Sequence, residues 1–283
     1  MLAFALTGVS GCADDVVCPA CGDPESRGTV ENAELSELSG LAASLRLDDV
    51  LYGHNDSSDS SRIFALSTTG AHLATYELED ARNDDWEDIA YSPGSSGNYL
   101  WIADIGDNDG TRTEYQIYLM AEPETIEPGV HSVPTERVTF SYPDGSHDAE
   151  VLLVHPLTGA VTIVTKVEVG PASVYELPSL VPDATLAATK VGEVEPPDGK
   201  SKFSGGAVHP EATGVLLRTN TRLFYWPMRP EETVAQALAG VACQLPLAEE
   251  TQGEAVAWLE AGEGIMTIGE GVNPSINVAD CGG

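Results

Sequence analysis

The sequence predicts an all-β fold, a five-bladed β-propeller, on three observations: short β-rich runs fill most of the chain, they recur in five sets, and almost nothing carries the period of a long amphipathic helix. Each set opens on a polar residue followed by an apolar run. The five first strands are Ser39-Gly40-Leu41-Ala42, Glu87-Asp88-Ile89-Ala90, Glu150-Val151-Leu152-Leu153, Ser204-Gly205-Gly206-Ala207 and Glu254-Ala255-Val256-Ala257. Their leading residues recur every 48 to 63 positions, which suits a four-stranded blade with loops of variable length. Second strands follow at 50–53, 99–102, 160–163, 214–217 and 264–267, and third strands at 63–66, 116–119, 174–177, 223–226 and 275–278.

The fifth set ends soon after its third strand, so its fourth strand is expected from Gly28-Thr29-Val30-Glu31, a closure that leaves no open sheet edge. A six-bladed ring is the alternative, with the extra blade drawn from the stretch between Glu122 and Asp148. Residues 28–283 are read as one domain. Residues 1–12 end in Val9-Ser10-Gly11-Cys12, which resembles a bacterial lipobox, and residues 13–27 are small, acidic and rich in turn formers, as in a flexible tether. The expectation is an exported lipoprotein, lipidated on Cys12 and held in the periplasm or outer membrane of the cell envelope. Four cysteines then remain for an oxidising compartment. Cys243 with Cys281 would clasp the last two repeats; Cys18-Pro19-Ala20-Cys21 reads either as a small loop or as half a zinc site.

Forty-five acidic residues against 13 Lys and Arg give a formal net charge of −32, a field that repels nucleic acid and is consistent with a soluble, monomeric surface. No stretch is apolar for long enough to cross a bilayer. No nucleophile elbow, P-loop, dinucleotide fingerprint or zinc-protease helix is present. Trp86, Trp101, Trp226 and Trp258 lie in or beside strands, as packing residues do.

In a propeller the first strand of every blade lines the central channel, so the residues that open them meet around the axis. That column reads Ser39, Glu87, Glu150, Ser204, Glu254. Converging carboxylates raise one another's pKa unless a cation neutralises them, and an all-oxygen donor set suits Ca2+ rather than zinc. The column resembles that of the calcium-activated nucleotidase (apyrase) family of vertebrates and blood-feeding arthropods, which are five-bladed propellers with the same order of Ser, Glu, Glu, Ser and Glu. The phrases Ser-Gly-Leu, Trp-Glu-Asp-Ile-Ala and Asp-Ile-Gly-Asp-Asn also look like those of bacterial propeller lipoproteins.

A second ring is expected at the ends of the second strands: His54-Asn55-Asp56, Asp104 with Asp107 and Asn108, Lys166, Arg218 with Asn220, and Glu270. Lys166 and Arg218 stand out in so acidic a chain as grips for a small anionic ligand, or else as partners of neighbouring acids. The Asp-rich loops read as further calcium sites or as turns. Two functional classes follow. One is a calcium-binding scaffold or binding module that meets a small ligand or an envelope protein. The other, which the apyrase resemblance implies, is a calcium-dependent hydrolase of phosphate anhydrides or esters. In it Asp56 or Asp104 orients water while Lys166 and Arg218 take up developing charge.

Overall fold

Runs rich in Val, Ile, Leu and aromatic residues, broken by Gly, Asp, Asn and Pro, fold into a succession of short strands. The computed structural model describes residues 17–57, 59–94, 97–179, 185–259 and 262–282. The chain begins with two edge strands, β1 (Ala20–Cys21) and β2 (Glu25–Thr29). Blade 1 follows with β3 (Leu38–Ala43), β4 (Leu51–Asn55), β5 (Arg62–Leu66) and β6 (His72–Leu78). Blade 2 holds β7 (Trp86–Gly94), β8 (Gly97–Asp104), β9 (Tyr115–Ala121) and, after the short β10 (Val130–Val133), its outer strand β11 (Glu136–Ser141). Blade 3 holds β12 (Ala149–Val154), β13 (Val161–Thr165), β14 (Ala172–Glu176) and, after β15 (Thr185–Ala187), β16 (Thr189–Val194). Blade 4 holds β17 (Phe203–Val208), β18 (Gly214–Thr219), β19 (Arg222–Pro227), a helical turn α1 (Val234–Leu238) and β20 (Cys243–Leu245). Blade 5 holds β21 (Gly253–Trp258), β22 (Gly264–Gly269) and β23 (Ser275–Gly282).

The four strands of each blade pair antiparallel, and the blades form a ring, a five-bladed β-propeller, with inner strands β3, β7, β12, β17 and β21 touching in that order and β21 returning to β3. The ring closes because β2 pairs antiparallel with β23 and serves as the fourth strand of blade 5, as expected. No sixth blade forms: the stretch between Glu122 and Asp148 supplies β11 to blade 2, and β10 runs parallel to β6 of blade 1. β15 does the same for the preceding blade by pairing parallel to β11, and α1 packs back on β16. The loop between third and fourth strands thus reaches back to the outer edge of the blade before it in blades 2, 3 and 4. Covering these edges leaves fewer unpaired backbone groups open to other chains.

The apolar core is divided into clusters that each lie between two neighbouring blades. Tyr52 meets Trp86, Phe140 meets Tyr175, Val151 meets Phe203 and Trp226, Leu216 meets Trp258, and Leu38 meets Met266 within these layers. All four tryptophans are buried packing residues.

The expected Cys243–Cys281 disulfide is corrected. β1 lies antiparallel to β23 with Cys21 directly opposite Cys281, so those two sulfurs bond, and Cys243 on β20 bonds Cys18 instead. Both Cys18 and Cys21 are consumed, which also removes the small loop and the zinc half-site. The 13–27 tether is shorter than expected for the same reason: from Cys18 onward the chain is stapled to blades 4 and 5 and enters the sheet at Ala20 and Glu25. Cys12 and the signal segment lie outside the described residues.

Candidate metal centre

The five residues of the expected column share one local device. In every blade the pairing of first and second strands slips by one residue at the strand entrance, and the residue left over is Ser39, Glu87, Glu150, Ser204 or Glu254. Such a β-bulge breaks the alternation of the strand and re-aims one side chain. Five equivalent bulges therefore turn five column side chains toward one end of the channel, and all five residues are buried.

Two more rings surround the column at that mouth. Two residues before each bulge stand Glu37, Asp85, Asp148, Lys202 and Gln252, separated from it by Leu38, Trp86, Ala149, Phe203 and Gly253. Where the second strand returns stand Asp56, Lys166, Asn220 and Glu270, with Gly106 at the corresponding place in blade 2. Backbone bonds lock the two rings together in four blades: Asp56 N–H to Glu37 O (2.8 Å), Gly106 N–H to Asp85 O (3.1 Å), Lys166 N–H to Asp148 O (2.9 Å) and Glu270 N–H to Gln252 O (2.7 Å).

This scaffold gathers two carboxylate triads. Asp56, Asp85 and Glu87 form one; Glu87, Asp148 and Glu150 form the other; in each, ligand oxygens lie within 4.8 Å of one another. Glu87 belongs to both. It is 3 % exposed, and among the described residues its carboxylate accepts only one long hydrogen bond, of 3.5 Å from Ser39 Oγ to Oε2, which leaves Oε1 without a protein donor. Burial pushes its carboxyl well above the usual carboxylate range, and the neighbouring Asp56 and Asp85 push it further. Asp85 is raised to about 6 by burial, Asp56 and Asp148. Glu270 is raised to about 7 by burial and by Glu254, Asp56 and Glu37. Gly106 presses its Cα against this group, since a Cβ there would overlap Glu87 Oε1 and Asp85 Oδ2. The donors are oxygens throughout, which fits a hard cation such as Ca2+ and does not fit a structural zinc.

The cations lie on the other side. Lys166 Nζ is ion-paired with Glu150 Oε1 and also acts on Glu87 and Glu254. Glu254 belongs to neither triad: Asn220 Nδ2 donates to its Oε1 at 2.9 Å, while its buried Oε2 has no hydrogen-bond partner among the described residues. The two serines of the column are occupied with the backbone of the next blade, Ser39 Oγ donating to Glu87 O at 2.6 Å and Ser204 Oγ to Gly253 O at 2.9 Å.

Several residues of the expected second ring do other work. Arg218 is fully buried beneath the mouth, donating from Nη2 to Glu250 Oε2 and from Nη1 to Ala255 O, both at 2.8 Å. Asp104 is buried and paired with Arg112 at 2.8 Å, accepting also from Asp85 N–H. Asp107 accepts from Thr111 N–H, Arg112 N–H and Tyr115 O–H, so the 104–112 loop is a braced turn whose Asp107 N–H donates to Asp148 Oδ1 at 2.8 Å. His54 is fully buried and holds Asn55 O through Nδ1, with burial driving its pKa down, so it is a neutral packing residue. Asp85 and Asp148 were not among the expected ligands. The acid-apolar-acid words Asp85-Trp86-Glu87 and Asp148-Ala149-Glu150 carry the signal, because residues two apart in extended chain share a face.

Fold and site together define a five-bladed propeller with an acidic, oxygen-lined channel mouth. Comparison with models of known protein families and with curated proteins finds no match to either.

Proposed function

We propose that the protein is a calcium-binding β-propeller that serves as a binding or scaffold module on the cell envelope. The observation that carries this reading is Glu87: a buried carboxylate shared by two triads, with no protein donor on Oε1 among the described residues. Keeping such a group ionised is costly unless a cation reaches it. The hydrolase alternative, which the apyrase resemblance implies, has Asp56 or Asp104 orienting water and both Lys166 and Arg218 at the reacting phosphate. Of these only Asp56 and Lys166 stand at the mouth, while Arg218 and Asp104 do not. Both are committed elsewhere, to Glu250 and Arg112, so the binding reading is preferred. Display on a lipid at Cys12 fits the position of the disulfides. Cys281 lies beyond the Gly264–Asp280 pair, at the rim opposite the carboxylate mouth, so an anchor before Cys18 would leave the mouth facing away from a membrane.

The test is thermal unfolding of the full chain in EDTA, in calcium and in magnesium, with Glu87→Gln alongside and phosphate release measured on a panel of nucleotides. A rise in Tm of several degrees with calcium that Glu87→Gln abolishes, without phosphate release, is expected. A wild-type Tm indifferent to calcium would refute the reading, and calcium-dependent phosphate release lost on Lys166→Met would replace it with the hydrolase.

A further inference from the structure

The mouth is not symmetric about the axis. Glu87 joins the two triads, yet only one of them has a cation supplied by the protein: Lys166 ends on Glu150 and reaches over toward Glu254. The lysine is held there by its own backbone, whose N–H donates to Asp148 O, so it enters the Glu87–Asp148–Glu150 side from the edge of β13. Its side chain is 22 % exposed while that of Glu150 is 4 % exposed, which places the ammonium as a cap on a buried acid. On the opposite side, Asp56, Asp85 and Glu87 have no Lys or Arg in ion-pair contact among the described residues. Arg112, the nearest positive influence on Asp85, is spent on Asp104 and the Gly106 carbonyl. Gly106 completes the contrast: the position that carries a side chain in Asp56, Lys166 and Glu270 is bare in blade 2, leaving the Glu87 and Asp85 oxygens room to converge.

We infer that Lys166 is a built-in cation that occupies the Glu150 half of the mouth and confines the divalent ion to the Asp56–Asp85–Glu87 half. The inference rests on the reading of the mouth as a calcium site and adds to it a location, a stoichiometry and a role for one lysine. An ammonium and a calcium ion within reach of the same carboxylates repel one another, so the half with the lysine is closed to the metal as long as the lysine stays. With Lys166 gone, Glu87, Asp148 and Glu150 become a second acidic triad with no counter-ion. Glu87 would then bridge two ions, as a carboxylate with two oxygens is able to do.

Calcium equivalents and affinity measured by isothermal titration on the full chain test this. Wild type should take one equivalent, Lys166→Met two, and Lys166→Arg, which keeps the charge, one. Asp56→Asn should weaken the wild-type site at least tenfold, and in the Lys166→Met background it should leave one equivalent bound. One equivalent at unchanged affinity in Lys166→Met, with circular dichroism showing a folded protein, overturns the inference while the calcium reading stands. So does an Asp56→Asn protein that binds as wild type does, since the ion would then lie on the Glu150 side. A folded wild type that takes no calcium overturns both.

Discussion

Ser39 on the first strand of blade 1 donates its hydroxyl to the backbone carbonyl of Glu87 on blade 2 at 2.6 Å. Ser204 repeats the bond from blade 4 to blade 5 through Gly253 O at 2.9 Å. In both blades the next residue is a glycine, and a Cβ on Gly40 or Gly205 would run into the backbone of the following blade. Ser-Gly is thus an inter-blade clasp: the hydroxyl satisfies a buried carbonyl and the glycine lets the inner strands close up. Removing the hydroxyl orphans that carbonyl, which costs about 1–3 kcal/mol. Ser39→Ala should lose that much in urea unfolding at constant m, whereas Ser39→Thr should lose less provided the added methyl is accommodated.

Acidity should stabilise the metal-free protein. Burial, then Asp56 and Asp148, raise Asp85 to about 6; burial, then Glu254, Asp56 and Glu37, raise Glu270 to about 7. Unfolded carboxyls titrate near ~4. The folded state therefore holds these protons more tightly than the unfolded chain, so their contribution is complete below about pH 4 and is lost as pH climbs through 6 and 7. Buried His54 and His209, both held below the ordinary histidine value, act in the opposite sense up to about pH 6.5, so in EDTA the fall in Tm should show between about pH 6.5 and pH 8. Excess calcium should flatten that slope, because the ion replaces the protons. A metal-free Tm that rises over this range would contradict the assignment of these groups to a shared acidic mouth.

Most of the fold was legible because it is written twice over, in strand-length apolar runs and in the spacing between them. All fifteen inner, second and third strands lie where the runs place them, and β2 closes the ring as the incomplete fifth repeat demands. The column was legible for the same reason, since the polar residue opening each run is the one that bulges. What the pattern does not carry is side-chain commitment between distant segments. Arg218 and Lys166 occupy similar places at the ends of second strands, yet Arg218 turns under the mouth because Glu250, from the loop before β21, waits there and Gly253 leaves room for its guanidinium. The cysteines are a second case: their partners are set by the register of β1 against β23, a two-residue strand too short to be seen in a composition that reads as tether.

Arg218 offers a sharp contrast with Lys166. Its pair with Glu250 is buried on both sides, and Glu250 also accepts from Thr267 Oγ1 at 2.7 Å and Asn277 Nδ2 at 2.9 Å, which ties three strands of blades 4 and 5 together. Arg218→Met leaves a carboxylate buried without its counter-charge, a loss of about 3–5 kcal/mol. Urea unfolding should show that loss. Calcium stoichiometry, measured below the lowered Tm, should remain at one equivalent. A variant as stable as wild type but deficient in calcium would return Arg218 to the site.

Gly106 separates packing from ligation most directly. It replaces the side chain that the other four blades carry at the return of the second strand, and a Cβ there would overlap Glu87 Oε1 and Asp85 Oδ2. Its φ is not among the positive values of the chain, so alanine is conformationally admissible there and the substitution acts through space alone. A methyl group would drive the two carboxylates apart and fill the room between them. Relief of their repulsion and a modest loss of backbone entropy in the unfolded chain both favour the metal-free variant, against the cost of the displaced oxygens. Gly106→Ala should therefore change Tm in EDTA by only a few degrees while lowering calcium affinity at least tenfold. Gly40→Ala should do the reverse, because its methyl would overlap buried His54 Nε2 and the backbone of Ile89 and Asp88 on the next blade: stability should drop by several degrees in EDTA and calcium should still bind to the fraction that folds. Titration of both variants beside wild type distinguishes the two glycines, and equal losses of affinity would show that Gly106 serves the ring rather than the ion.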